Sequence, residues 1–143
     1  MITKTITTQI QIQAPANRIW QILTDTASFP LWNPFIKELQ GELNVGNKIK
    51  VRIQSSPNSE MTFSPKVTMM EANKSLQWLG KLGISGLFDG RHHFEIVEHA
   101  DGTSTFIHKE TFRGLIVPFF NTKNTRLGFE AMNKALKKKA ERQ

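Results

Sequence analysis

Residues 118–142, PFFNTKNTRLGFEAMNKALKKKAER, decide the fold. At about 100° per residue, Phe120, Leu127, Gly128, Phe129, Ala131, Met132, Ala135 and Leu136 fall within one arc about 200° wide. Thr122, Lys123, Arg126, Glu130, Asn133, Lys134 and Lys137 take the other side. Pro118 suits a first helical turn, where its missing N–H is unpaired anyway, and Lys137, Lys138 and Lys139 oppose the negative end of the helix dipole. One long helix is expected, held mostly by Phe120, Leu127, Ala131, Met132, Ala135 and Leu136.

The chain before this helix has the period of a sheet. Ile2, Ile6, Ile10 and Ile12 share one parity against Thr7, Gln9, Gln11 and Gln13, so residues 2–13 read as a half-buried strand. Pro15 then opens a short helix over Ala16 to Thr24, and a second short helical piece carries Phe29, Leu31 and Trp32 between Pro30 and Pro34. Six strands follow. Phe35 to Leu43 is the first, Asn44 to Asn47 a turn, and Lys48 to Gln54 a strand with Ile49, Val51 and Ile53 inward. Phe63, Val67 and Met69 continue the inward set, and Leu76 and Trp78 begin the next inward face after a turn at Asn73 and Lys74.

Phe88 to His99 and Thr103 to Leu115 flank Ala100-Asp101-Gly102, a hairpin loop with Gly102 in the left-handed position. That register sets Ile96 opposite Phe106, Phe94 opposite His108, and His92 opposite Glu110. A two-residue turn would pair odd with even positions and send these apolar side chains to opposite faces. Sequential strands joined by short turns, with one long terminal helix, make the class α+β: a curved antiparallel sheet of six to seven strands around that helix. A length of 143 residues suits a single domain, 1–143.

Composition excludes several functions. There is no Cys, hence no disulfide, thiolate metal site or cysteine nucleophile. The alternating N-terminus lacks the apolar core of a signal peptide, and no segment approaches a membrane span, so a cytoplasmic protein is expected. The net charge of +7 invites an acidic partner, yet from Arg126 onward six basic residues stand against Glu130 and Glu141, mostly on the outer face of the last helix. They read as a solvated face, with Lys137, Lys138 and Lys139 dispensable for ligand binding, and no nucleic-acid partner is expected. No phosphate loop, dinucleotide fingerprint, nucleophile elbow or zinc-protease helix occurs.

Width points to function. Six or seven strands about 4.8 Å apart span roughly 30 Å, whereas a helix is only about 10–12 Å across. Unless large side chains close the gap, an apolar cavity remains under the helices. Its expected wall includes Phe63, Met69, Trp78 and Phe88, then Phe94, Phe106, Phe112 and Met132, with Phe29 and Trp32 as either a lid or a plug. His92, His108 and Glu110 form the inward ionisable cluster. They can orient a ligand or shuttle a proton, or they can be a satisfied polar patch. Alternate-strand spacing without a tight ligand pair does not make a metal site.

The layout, with Phe29-Pro30-Leu31-Trp32-Asn33-Pro34-Phe35, Leu76-Gln77-Trp78, Gly90-Arg91-His92-His93-Phe94 and Glu110-Thr111-Phe112-Arg113-Gly114, resembles the SRPBCC superfamily of START-like, helix-grip proteins over essentially the whole chain. The pattern is most similar to the polyketide cyclase/dehydrase-like branch. That resemblance implies a sheet gripping the C-terminal helix with a hydrophobic ligand between them. It implies carriage or sensing of a small hydrophobic molecule, without a cofactor, ahead of a cyclase or dehydratase acting through His92, His108 and Glu110. A third class is an interaction module whose basic helix docks on an acidic partner or membrane.

Overall fold

The computed structural model describes residues 2–142. Its element order is β1 (Thr3–Ile12), α1 (Ala16–Thr24), α2 (Phe29–Trp32), β2 (Ile36–Gln40), β3 (Lys50–Ser56), β4 (Ser59–Phe63), β5 (Lys66–Glu71), β6 (Ser75–Lys81), β7 (Asp89–Glu98), β8 (Ser104–Arg113) and α3 (Lys123–Ala140). This is the expected helix-grip arrangement, with two short helices after the first strand and a long one at the end. Eight strands, rather than six or seven, are formed among the described residues. They hydrogen-bond as a five-stranded sheet in the order β1-β8-β7-β6-β5 and a three-stranded sheet in the order β2-β3-β4.

The two sheets touch where residues 46–49 run beside residues 65–67. Ile49 N donates to Pro65 O at 2.9 Å and Val67 N to Asn47 O at 2.9 Å. The seam lets the strands curl around α3 instead of lying flat. Within the larger sheet the β7–β8 register is the expected one, with His92 opposite Glu110, Phe94 opposite His108 and Ile96 opposite Phe106. Gly102 has φ +86, the left-handed value the hairpin requires.

Several local expectations need correction. A register shift between Val67 and Met69 inserts a bulge into β5, so Met69 faces solvent and Met70 packs against the core in its place. Pro118 does not open the last helix: it sits in a separate 3-10 turn, Val117–Phe119, and α3 begins only at Lys123. Asn121 Oδ1 accepts from Lys123 N at 2.9 Å at that start. Phe120 therefore precedes the helix, half-buried against the core.

The buried face of α3 is Phe129, Met132, Asn133, Leu136 and Ala140. Leu127 and Ala131, expected inward, are exposed, while Asn133, expected outward, is buried. A helix buries a strip narrower than the 200° arc of apolar residues available here, and the rotation chosen is the one that brings Asn133 onto polar groups of the sheet. Gly128 lies at the edge of that strip, where a Cβ would overlap the Phe35 ring. Leu136→Asp should therefore cost several kcal/mol, by placing an unpaired charge in an apolar site. Leu127→Asp should melt within a few degrees of the parent. Thermal unfolding of the two variants side by side checks this rotation of the helix, and equal destabilisation would refute it.

Candidate functional site

Beneath the N-terminal half of α3, the curled sheet leaves a cavity of about 480 Å³. That is within the range of about 300–1,000 Å³ typical of small-molecule sites. Phe35, Val51, Ile53 and Phe63 line one side, and Trp78, Phe88 and Phe112 the other. Ile116, Phe119 and Phe120 close one end, and Asn124 and Thr125 of α3 edge it. Among the predicted wall residues, Phe63, Trp78, Phe88, Phe112, His92 and Glu110 lie on this cavity. Phe94, Phe106, Met132 and His108 pack in the solid core behind it, and Met69 is outside. Phe29 is buried edge-on to Trp32, with ring centroids 5.5 Å apart, and neither reaches the cavity. They plug the core rather than cover the site.

Phe35 is the wall residue that sequence reasoning missed most plainly. Asn33 Oδ1 accepts from Phe35 N at 3.0 Å and from Ile36 N at 2.8 Å, which fixes the chain as it leaves α2. The ring then lies on Gly128 and meets Phe129 edge-on at 5.3 Å. A glycine inside a helical pattern was the available signal that a bulky group approaches there.

The polar end of the cavity is a chain of buried hydrogen bonds. Thr8 Oγ1 donates to His108 O at 2.9 Å and accepts from Asn133 Nδ2 at 2.9 Å. Asn133 Oδ1 faces His108 Nδ1 at 3.0 Å, His108 Nε2 faces His92 Nε2 at 2.8 Å, and His92 Nδ1 faces Glu110 Oε1 at 3.2 Å. Thr8 has one hydroxyl proton, committed to a carbonyl, so Asn133 must turn its amide hydrogens to Thr8 and its oxygen to His108. His108 then carries its proton on Nδ1. Burial first, and the charge of His92 second, hold His108 well below the ordinary histidine range, against the opposing bond from Asn133. Neutral His108 accepts at Nε2, so His92 must donate from its own Nε2. A hydrogen bond between His92 Nδ1 and Glu110 Oε1 then requires a proton carried by one of the two groups.

Aromatic rings hold this pair in place. Trp78 stacks on His92 with centroids 5.2 Å apart and planes 24° apart, and Phe129 lies flat on His108 at 3.9 Å and 9°. Gly90 is opposite the second carboxylate oxygen of Glu110, where a Cβ would collide with it. Glu110 is partly exposed to the cavity, whereas His92 and His108 are buried. Thus His92 and Glu110 face the cavity, and His108 supports them from behind. Among the described residues no group of three or more His, Asp or Glu side chains has the spacing of a metal site. No helix among them is long and apolar enough to cross a membrane.

Residues 3–142 match the sequence model of the family described as "Polyketide cyclase / dehydrase and lipid transport". The chain belongs to this family. No curated protein sequence matches it. Solved structures carry the same fold at low identity. A START superfamily protein from Mycobacterium smegmatis is 20% identical, covering 96% of this chain and 97% of its own, with a TM-score of 0.74. A hypothetical protein from Helicobacter pylori is 13% identical, with 96% and 88% covered and a TM-score of 0.78. A norcoclaurine synthase point mutant from Thalictrum flavum, in complex with a transition-state analogue, is 15% identical, with 97% and 94% covered and a TM-score of 0.70. Identities this low speak for the fold alone.

The depressed His108 ties folding to pH. Unfolded, its imidazole takes a proton near pH 6.5, whereas folded it does so only at much lower pH. Between those values the unfolded chain holds more protons, so stability is full above pH 6.5 and falls as pH drops. Urea unfolding should lose about 1.4 kcal/mol per pH unit for such a group across this window. His93, lowered mainly by burial, adds in the same direction. His108→Gln should make the slope shallower, and an unchanged slope would place the titration elsewhere.

Proposed function

We propose that this domain binds a small, flat, largely apolar molecule non-covalently in the cavity, with one hydrogen-bonding group of the ligand placed against Glu110. The observation that carries this reading is the asymmetry of the wall, in which six Phe and one Trp side chain flank the hydrogen-bonded pair His92 and Glu110 at one end. Glu110 Oε1 is engaged by His92 and Oε2 is opposite Gly90, so Oε2 is the acceptor left for a hydroxyl or amine of the ligand. Aromatic walls favour ring-containing ligands through edge and face contacts. The family's description includes lipid transport, in keeping with a carrier or sensor that needs no cofactor.

A second reading, general acid–base chemistry of the cyclase or dehydratase kind, is favoured by the contact of 3.2 Å between His92 Nδ1 and Glu110 Oε1, across which a proton can pass. Under it, Glu110→Gln would abolish turnover of a bound substrate with binding largely kept.

Naphthol and naphthalene serve as probes, because they share an apolar body and differ in one hydroxyl. Both should quench tryptophan fluorescence saturably, through Trp78. Naphthol should bind about three- to tenfold tighter, the value of one hydrogen bond. Glu110→Gln should shrink that preference, and Phe112→Ala should weaken both probes. Saturable binding of neither probe, or loss of both on Glu110→Gln alone, would refute the carrier reading.

A further inference from the structure

The face surrounding one end of the cavity is apolar and basic, and we propose that it docks on an anionic lipid surface. Two segments build it. Residues 82–88 join β6 to β7, and residues 114–121 join β8 to α3. They are held side by side, with Leu115 N donating to Gly86 O at 3.1 Å and Ile116 N to Leu87 O at 3.2 Å. Gly114 permits this contact, because a Cβ there would overlap the backbone of Leu87. Their tips leave Ile84 75%, Leu115 71% and Phe119 87% exposed, and Ile2 is brought beside them by Gly114 N donating to Ile2 O at 3.4 Å. Large apolar side chains exposed singly are ordinary, but four at one end of a sheet make a patch that calls for a partner.

The charges around the patch say which partner. Lys81, Asp89 and Arg113 stand in one row across β6, β7 and β8, and Lys4 beside them holds the carbonyls of Phe120 at 2.8 Å and Pro118 at 3.4 Å. Lys123 begins α3 at the same end. The one acidic member, Asp89, is taken up by Gly86 N at 3.1 Å. Apolar side chains projecting through a ring of cations suit the boundary of an anionic bilayer, where the apolar tips enter the acyl region and the cations stay with the headgroups. A second copy of the chain is disfavoured as occupant, since each copy carries +7 and would bring the same cations to the contact.

Phe119 and Ile116 belong both to this patch and to the cavity wall, so a bilayer at this face would meet the end of the cavity directly. Exchange of a ligand with the bilayer rests on the proposed cavity function, whereas docking does not.

Flotation of the full chain with vesicles tests the docking. Vesicles of phosphatidylcholine with about a quarter phosphatidylglycerol should retain the protein, vesicles of phosphatidylcholine alone should retain it less, and added salt should release it. Ile84→Ser combined with Leu115→Ser, neither a cavity residue, should cut retention about tenfold or more. The melting temperature and naphthol quenching should not change. Arg113→Gln should weaken retention on the anionic vesicles alone. Equal retention of parent and double variant, or no retention at all, overturns the proposal. So does self-association that the double variant abolishes, which would assign the face to a second copy. Naphthol quenching without vesicles reads the cavity separately, so a failure of docking and a failure of the cavity reading give different results.

Discussion

The seat of α3 on the sheet is the contact on which the rest of the structure depends. Phe129 lies flat against His108, and one turn further along the helix Asn133 reaches His108 with its oxygen and Thr8 with its nitrogen. Apolar packing supplies most of the attraction, but many rotations of an Ala-, Leu- and Phe-bearing helix would pack tolerably. The amide is less forgiving. Another seating would leave His108 Nδ1 buried without its partner, and the Asn133 amide too wherever it stayed buried, at about 1–3 kcal/mol for each unsatisfied group. One polar side chain therefore selects a single helix rotation, even though that rotation leaves Leu127 in solvent.

With the helix seated over β1 and β8, the curled sheet extends beyond it. Phe35 fills part of the excess width by lying on Gly128, and the remainder is the cavity. The late start of α3 shapes its end. Had the helix begun at Pro118, residues 118–122 would have continued along its axis. Instead Val117–Phe119 turns, Lys4 ties down two of its carbonyls, and Ile116, Phe119 and Phe120 close the end of the space.

The hydrogen-bond chain runs from core to cavity with its direction set at the buried end. Thr8, Asn133 and neutral His108 leave His92 no choice but to donate from Nε2, so whatever proton chemistry occurs is confined to His92 Nδ1 and Glu110. A core histidine that resists charging costs the fold some acid stability. In return, the cavity has a polar group held in orientation by hydrogen bonds and ring stacking. Rigid placement of this kind serves a carrier that must orient its ligand as well as it serves an acid–base catalyst, because both depend on an acceptor that is already in position.

Fold class, element order, the β7–β8 register and the pairing of His92 with Glu110 were legible in the sequence, because they follow from period-two and helical patterning and from the left-handed glycine of one hairpin. About half of the wall residues that the same patterning named do lie on the cavity, since inward parity is a local property of a strand. It could not say which inward residues face empty space and which face other side chains. Phe94, Phe106 and His108 are as inward as Trp78 and Phe112, and only the position of α3 divides them. Met69 was misplaced because a bulge changes parity with no mark in composition. Asn133 was misplaced because a polar residue on a helix reads as solvent-facing until a buried partner is known, and its partners are 25 residues away at His108 and 125 away at Thr8. Tertiary structure decided these points for one reason: each depends on contacts between elements distant in the chain, and local periodicity carries no information about them.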